Sequence, residues 1–168
     1  MNDNIIVYFL GQPCSGKTTL ANYFYDNFYK SEDKKPFKID GDKMRSLFKN
    51  FDYSKEGRIA NLNKSADLAT YLHSEGYDVL MSLVCPYVEA REYLENKNIP
   101  VLWVFLDYEK VWDVRGRENF HAEDFDKIGA CPLNYVIVIN TTQTDVKDCY
   151  EEIKNYYLKI KSHLKNNN

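Results

Sequence analysis

The chain is 168 residues long, with 22 Lys and Arg against 25 Asp and Glu and a formal net charge of −3. Without a sustained basic block, that balance disfavours nucleic acid as a partner, because binding by counterion release needs a basic face. Apolar residues at 44% and charged residues at 28% exclude a mainly disordered chain, and the length predicts one domain, residues 1–164, with a polar tail at 165–168.

In chain order, Ile5–Leu10 reads as the first strand and Lys17–Tyr29 as an amphipathic helix. Phe37–Ile39 reads as the second strand, followed by a short helix through Phe48 that Asp42 would cap. A long helix over Arg58–Ser74, a strand over Val79–Val84, a helix over Val88–Asn96 and a strand over Val101–Leu106 come next. Glu109–Arg115 reads as a further helix, residues 115–130 as a short lid, and Tyr135–Ile139 as the last strand. The closing helix, Val146–Leu164, places Val146, Cys149, Ile153, Tyr156, Tyr157, Ile160 and Leu164 at spacings of three and four. Strand and helix alternate throughout, which predicts an α/β fold: a five-stranded parallel sheet with helices on both faces, three layers in all.

Other features narrow the setting. The apolar run Ile5–Leu10 is too short to cross a bilayer, so no membrane association is expected. Cys14, Cys85, Cys131 and Cys149 are too scattered for a zinc or redox motif, so reduced thiols and a cytoplasmic location are expected. His73, His121 and His163 are equally scattered; a solvent-facing or lid position is expected for each, and no metal is assigned to them. Aromatic residues make up 15%, with 14 Tyr and 9 Phe. Clusters such as Tyr23-Phe24-Tyr25 and Phe28-Tyr29 suit either cover for the sheet or the surface of a homodimer.

Directly after the first strand stands Gly11-Gln12-Pro13-Cys14-Ser15-Gly16-Lys17-Thr18, a full match to G-x-x-x-x-G-K-[ST], followed by Thr19. The glycines let the backbone curl so that successive N–H groups point at phosphate oxygens, and the next helix adds its positive end. Lys17 would reach the β- and γ-phosphates of a purine triphosphate, and the Thr18 hydroxyl would ligate Mg²⁺, with Asp40 assisting through water. With Gly at roughly 7% of residues, a random full match in a chain this long is on the order of one in a hundred. Cys14 occupies a position where any small side chain would serve. The motif turns the α/β prediction into a P-loop nucleoside-triphosphate hydrolase-type fold.

After the second strand comes Asp40-Gly41-Asp42-Lys43-Met44-Arg45, at the strand ends where a parallel sheet builds its site. Two carboxylates and an Arg there can orient an acceptor hydroxyl, hold water on a metal and clamp an anion. A GTPase would instead need D-x-x-G after its third strand, whereas Asp126–Gly129 stands just before the last. A motor ATPase would be longer and would show a central strand ending in Asp, which neither central strand is expected to do. A small-molecule kinase fits best.

These residues, with Tyr53-Ser54-Lys55-Glu56-Gly57-Arg58-Ile59-Ala60-Asn61-Leu62 and Cys85-Pro86-Tyr87, resemble the adenylylsulfate (APS) kinase family. Its members carry a P-loop, D-G-D-x-x-R, a segment like F-S-x-x-x-R-x-x-N-I, and S-P-Y before a helix; the likeness runs roughly from Ile5 to Arg115. The resemblance implies transfer of the ATP γ-phosphoryl, with Mg²⁺, to the 3′-hydroxyl of a small anionic nucleotide. By the same resemblance, Asp42 would meet the ribose hydroxyl, Arg45 and Arg58 the anionic bridge, Asn61 the acceptor and Tyr53 its base. Arg115 would stack on adenine, and Arg117 would reach the transferring phosphate beside Lys17.

The departures from the pattern bear on the acceptor. Cys85-Pro86-Tyr87-Val88 loses the hydroxyl and the basic group of S-P-Y-R, although Arg91 follows one turn on. The short lid lacks the family's K-G-F-T-G-like stretch, leaving Phe120 as its replacement at the base. Relatives in capsule-building bacteria phosphorylate cytidine diphosphoramidate, which this changed pocket suits slightly better than adenylyl sulfate. A nucleoside monophosphate kinase and a non-catalytic nucleotide-binding domain remain the alternatives.

Overall fold

The strand Ile6–Gly11 (β1) is apolar along its whole length because both its faces and both its edges are covered. It pairs on one side with Val79–Ser82 (β3) and on the other with Val101–Asp107 (β4). Phe37–Asp40 (β2) and Tyr135–Asn140 (β5) close the two edges, so the sheet runs β2-β3-β1-β4-β5 with every pairing parallel. The computed structural model describes residues 3–108 and 133–166. The expected helix Glu109–Arg115, the lid at 115–130 with Arg115, Arg117 and Phe120, His121 and Cys131 lie outside the described residues.

Period-two alternation sends successive β1 side chains to opposite layers. Val7 and Phe9 join Leu102, Val104, Ile137 and Ile139 beneath Lys17–Phe28 (α1) and Val146–Asn166 (α5). Ile6, Tyr8 and Leu10 join Ile39, Met81 and Trp103 beneath Gly41–Phe48 (α2), Lys55–Ser74 (α3) and Val88–Glu95 (α4). Much of the aromatic surplus lies in the first layer, where Phe24 contacts Phe28, Tyr29, Tyr150 and Tyr157. Phe24 and Tyr29 are buried. These rings cover the sheet, one of the two roles their spacing allowed.

At the N-terminal edge of the sheet a single carboxylate gathers this layer. Asp78 Oδ1 accepts from the Ile5 amide at 2.7 Å and from Lys161 Nζ at 2.9 Å. Its Oδ2 accepts from the Tyr157 hydroxyl at 2.7 Å and the Tyr29 hydroxyl at 3.0 Å. Burial, reinforced by the neighbouring negative charge, pushes both phenols far above their ordinary range, so they stay donors. The sequence pattern gave no hint of this hub.

Several boundaries differ from expectation for local reasons. The helix expected from Arg58 begins at Lys55, because the Ser54 hydroxyl accepts from the Gly57 amide and caps it three residues earlier. The α2 cap is Asp40 rather than Asp42: Asp40 is extended, and its Oδ1 accepts from the amides of Asp42 and Lys43. β3 ends at Ser82, two residues short of the apolar run. β4 does end in an aspartate, Asp107, because pairing with Asn140 carries the ladder one residue past the apolar stretch. α5 takes up Lys165 and Asn166 from the expected tail, and His73, expected at the surface, is buried with Nε2 against the Asn4 carbonyl.

Candidate active site

The P-loop occupies the turn from β1 into α1, and its glycines are required by geometry. Gly11 has φ +147°, and a Cβ there would stand 2.6 Å from the Leu106 carbonyl on the neighbouring strand. Gly16, at φ +92°, opens α1 in a left-handed conformation. Cys14 also has positive φ, 64°, in an exposed position. Pro13 and Cys14 form the turn, closed by the Ser15 amide on the Gln12 carbonyl, and Thr19 is exposed on the first helical turn.

Inside the loop, one hydroxyl is left without a partner among the described residues. Lys17 is largely buried and donates to the Gln12 carbonyl. Ser15 is buried, and its hydroxyl has no hydrogen-bond partner among the described residues. An unmatched buried hydroxyl costs about 1–3 kcal/mol, which a phosphate oxygen arriving in the loop would offset. Thr141, in the turn after β5, donates to the Ser15 carbonyl at 3.0 Å and steadies the loop from the opposite side. Nothing in the motif marks Thr141; only the parallel order of β1, β4 and β5 brings it there.

Asp40 joins the loop to the second motif. Its Oδ2 accepts from the Thr18 hydroxyl at 3.1 Å and the Ser82 hydroxyl at 3.3 Å, while Oδ1 caps α2. A hydroxyl that gives its proton to a carboxylate turns its lone pairs outward, as a hard-cation ligand must. The donor set of Thr18 and Asp40 therefore fits Mg²⁺, which takes one or two protein oxygens and completes its shell with phosphate and water. Gly41 is not forced by sterics, since a Cβ there would meet the Leu83 side chain at ordinary distance.

Asp42 is exposed on the first turn of α2, close enough to Arg45 for attraction. Arg45 stacks over the Tyr53 ring at 4.3 Å, and its Nη1 donates to the carbonyls of Asn50 at 3.2 Å and Asp52 at 3.0 Å. Arg58 donates through Nε to the Tyr53 carbonyl at 2.8 Å. Partial burial, with repulsion from Arg58, lowers the Arg45 pKa, though a guanidinium remains charged. Two cations gathered on one tyrosine, Arg45 at its ring and Arg58 at its carbonyl, make a positive surface that favours an anion.

Asn61 lies one turn beyond Arg58 and is only 3% exposed, so it is not the solvated surface residue its helix position allows. Its Oδ1 is buried without a hydrogen-bond partner among the described residues. The third motif is brought less close. Cys85 is 1% exposed and hydrogen-bonds with Tyr8 in the core, and Pro86 is buried. Tyr87 is half-buried under Lys55, which pairs with Glu89 at 2.6 Å. Arg91 is fully buried rather than displayed on the surface of α4. Arg115, Arg117 and Phe120 lie outside the described residues.

Sequence reasoning passed over three groups here: Asn50 and Asp52 in the loop before α3, and Gly57 in its first turn. Asn50 Nδ2 donates to the Gly57 carbonyl at 2.9 Å, and its Oδ1 accepts from the Asp52 amide at 3.1 Å. Asp52 Oδ1 accepts from the Ser54 amide at 2.9 Å, which holds its carboxyl below the usual carboxylate range. Gly57 is needed because a Cβ there would run into the Asp52 side chain. The Asn-x-Asp-x-Ser spacing, typical of successive Asx turns and a helix cap, was the available signal.

This topology, with its P-loop between β1 and α1, defines the class: a P-loop fold of the kinase type. A profile of adenylylsulphate kinase matches residues 3–112. The chain belongs to the adenylylsulphate kinase family. It is 29% identical over 108 residues to a cytidine diphosphoramidate kinase of Campylobacter jejuni, covering 63% of each chain. It is 35% identical over 104 residues to an adenylyl-sulfate kinase of Deinococcus deserti, covering 61% of this chain and 56% of that one. These alignments span less than two thirds of the curated relatives' length. An APS kinase of Mycobacterium tuberculosis, solved with AMPPNP and APS, shares the fold with a TM-score of 0.69 at 19% identity, covering 91% of this chain and 96% of that one. A gluconokinase of Sinorhizobium meliloti superposes with a TM-score of 0.65 at 13% identity, covering 96% of this chain and 94% of that one, so the fold by itself does not choose the acceptor.

Proposed function

We propose that this chain transfers the γ-phosphoryl group of ATP to the 3′-hydroxyl of a nucleotide whose anhydride bridge ends in a small tetrahedral group. The observation that carries the reading is the shared carboxylate of Asp40, which joins Thr18 of the phosphate loop to the start of the helix bearing Asp42 and Arg45. Donor and acceptor machinery are thereby held on one edge of the sheet. Cytidine diphosphoramidate is the preferred acceptor, supported by the Campylobacter relative and by the loss of the S-P-Y-R hydroxyl and base at Cys85 and Val88. Adenylyl sulfate is the second reading, supported by the relatives named for it.

In this mechanism the loop from Gly11 to Thr18 cradles the triphosphate and Lys17 neutralises the transferring charge. Thr18, with Asp40 behind it, would hold Mg²⁺, which would supply further charge neutralisation. Asp42 positions the attacking hydroxyl and accepts its proton, while Arg45 and Arg58 fix the anionic bridge and Asn61 Oδ1 accepts from the acceptor. Arg117 and Arg115 would close over the phosphate and the adenine. The direct test supplies ATP, Mg²⁺ and either acceptor and locates the new phosphate by phosphorus NMR. A 3′-phosphorylated product supports the reading; phosphate appearing only on a 5′-monophosphate, or no transfer at all, overturns it. Asp42→Asn should cost at least ~100-fold in kcat; a loss below about threefold removes Asp42 from its assigned role.

A further inference from the structure

We infer that Asp52 reads the base of the acceptor by accepting a hydrogen bond from an exocyclic amine, so that the site takes amino-bearing bases and rejects their keto counterparts. The inference rests on the proposed nucleotide acceptor and adds the base class to it.

The groups around Tyr53 carry it. Tyr53 is 60% exposed, yet Arg45 lies over its ring and Arg58 holds its carbonyl, so the phenol is a fixed platform with an open surface. A cation behind a ring, with a planar base in front, is a favourable sandwich. Asp52 is the residue immediately before this platform, and both of its backbone polar groups are pinned: the amide by Asn50, the carbonyl by Arg45. Its carboxylate is equally fixed. Oδ1 accepts from the Ser54 amide, and Oδ2 rests where a Gly57 side chain would begin, 2.5 Å from that virtual Cβ. The absence of a side chain at Gly57 thus makes room for this carboxylate, which lies within electrostatic reach of the Arg45 guanidinium stacked on Tyr53.

That carboxylate is exposed and stays ionised, because the Ser54 hydrogen bonds hold it below the usual range. An ionised carboxylate is acceptor-only, with lone pairs left over after one amide bond. The amine of cytosine or adenine is a donor at the base edge, where uracil or hypoxanthine presents a carbonyl oxygen. An amine meets Asp52 as a charge-assisted donor, whereas a carbonyl meets it as a second negative dipole.

The experiment uses the full chain and two acceptor pairs differing only at that position: cytidine diphosphoramidate with its uridine counterpart, and adenylyl sulfate with its hypoxanthine counterpart. Binding is measured by calorimetry and transfer by phosphorus NMR. The wild type should bind the amino member of a pair at least about tenfold tighter than its keto twin. Asp52→Asn keeps an oxygen for the Ser54 amide but presents an NH₂ donor in place of the second carboxylate oxygen. The preference should then fall to about threefold or less, with ATP affinity unchanged to show that the fold is intact. Equal binding by the wild type, or a preference that survives Asp52→Asn, overturns the inference. Discrimination in binding that Asp52→Asn abolishes, with no phosphoryl transfer, sinks the kinase reading while leaving Asp52 in place. Transfer without discrimination does the reverse.

Discussion

The two ends of the sheet are built on opposite rules. At the N-terminal edge every partner of Asp78 is supplied by the protein itself: an amide, an ammonium and two phenols. At the C-terminal edge the Ser15 hydroxyl and Asn61 Oδ1 are buried without hydrogen bonds among the described residues, and Arg45 is repelled by Arg58. One end directs its polar groups to cohesion, and the proposed mechanism assigns those of the other to ligands. The same strand, β1, passes through both, and its apolar run separates them.

This contrast can be broken by exchanging what is lost at each end. Lys17→Ala should lower kcat by about 1,000-fold or more, because it removes charge stabilisation from the transferring phosphate. Its thermal midpoint, followed by circular dichroism, should move by no more than about 2 °C. A large midpoint drop would show that the phosphate loop also holds the fold together.

Asp78→Ala is the converse. It leaves a largely buried ammonium and two phenols without their common acceptor, at a cost of about 3–5 kcal/mol. Calorimetry should show a midpoint lowered by about 10 °C, with kcat/KM below that temperature within about twofold of wild type. Loss of activity without loss of stability would place the hub in the catalytic machinery and erase the distinction between the ends.

Asp40→Asn sharpens the comparison within the site. Asn caps a helix about as well as Asp, so stability should hold, whereas the charge behind Thr18 is gone. Activity should fall by about tenfold or more at a fixed Mg²⁺ concentration, read as a raised Mg²⁺ requirement.

The smallest effect belongs to the clasp between α3 and α4, where Asp67 accepts from Lys97 Nζ at 2.8 Å and the Tyr93 hydroxyl at 2.9 Å. The Lys97 hydrogen bond lowers the Asp67 pKa below its ordinary value. A depressed carboxylate stabilises above its unfolded pKa, about 3.9, and that contribution fades as pH falls through the folded value. Acid unfolding of wild type and Asp67→Asn should therefore converge once the pH falls below the folded Asp67 pKa and separate slightly above the unfolded one.

Much of the fold was legible because parallel strands announce themselves as short apolar runs between amphipathic helices, and β1, β3 and β4 did so. The P-loop was legible because Gly11 and Gly16 are required by backbone conformation, which leaves a trace in sequence. Asp40, Arg45 and Arg58 were found through their motifs, but their contacts were not. Arg45 donates to carbonyls five and seven residues on, and backbone acceptors carry no side-chain signature. Asp78 was invisible for a related reason: its partners come from residues 5, 29, 157 and 161, and no local pattern spans that separation. His73 was misjudged because an isolated histidine gives no periodicity from which to infer burial.

The shared carboxylate of Asp40 has a practical consequence. One of its oxygens faces the Thr18 hydroxyl and the other the amides of Asp42 and Lys43, so whatever reorients the threonine redistributes charge toward α2. Those two amides form a built-in spectroscopic gauge of the phosphate loop. In an amide-resolved NMR titration their resonances would respond to nucleotide before any acceptor is added, and Asp40→Asn would silence the signal while leaving the helix in place.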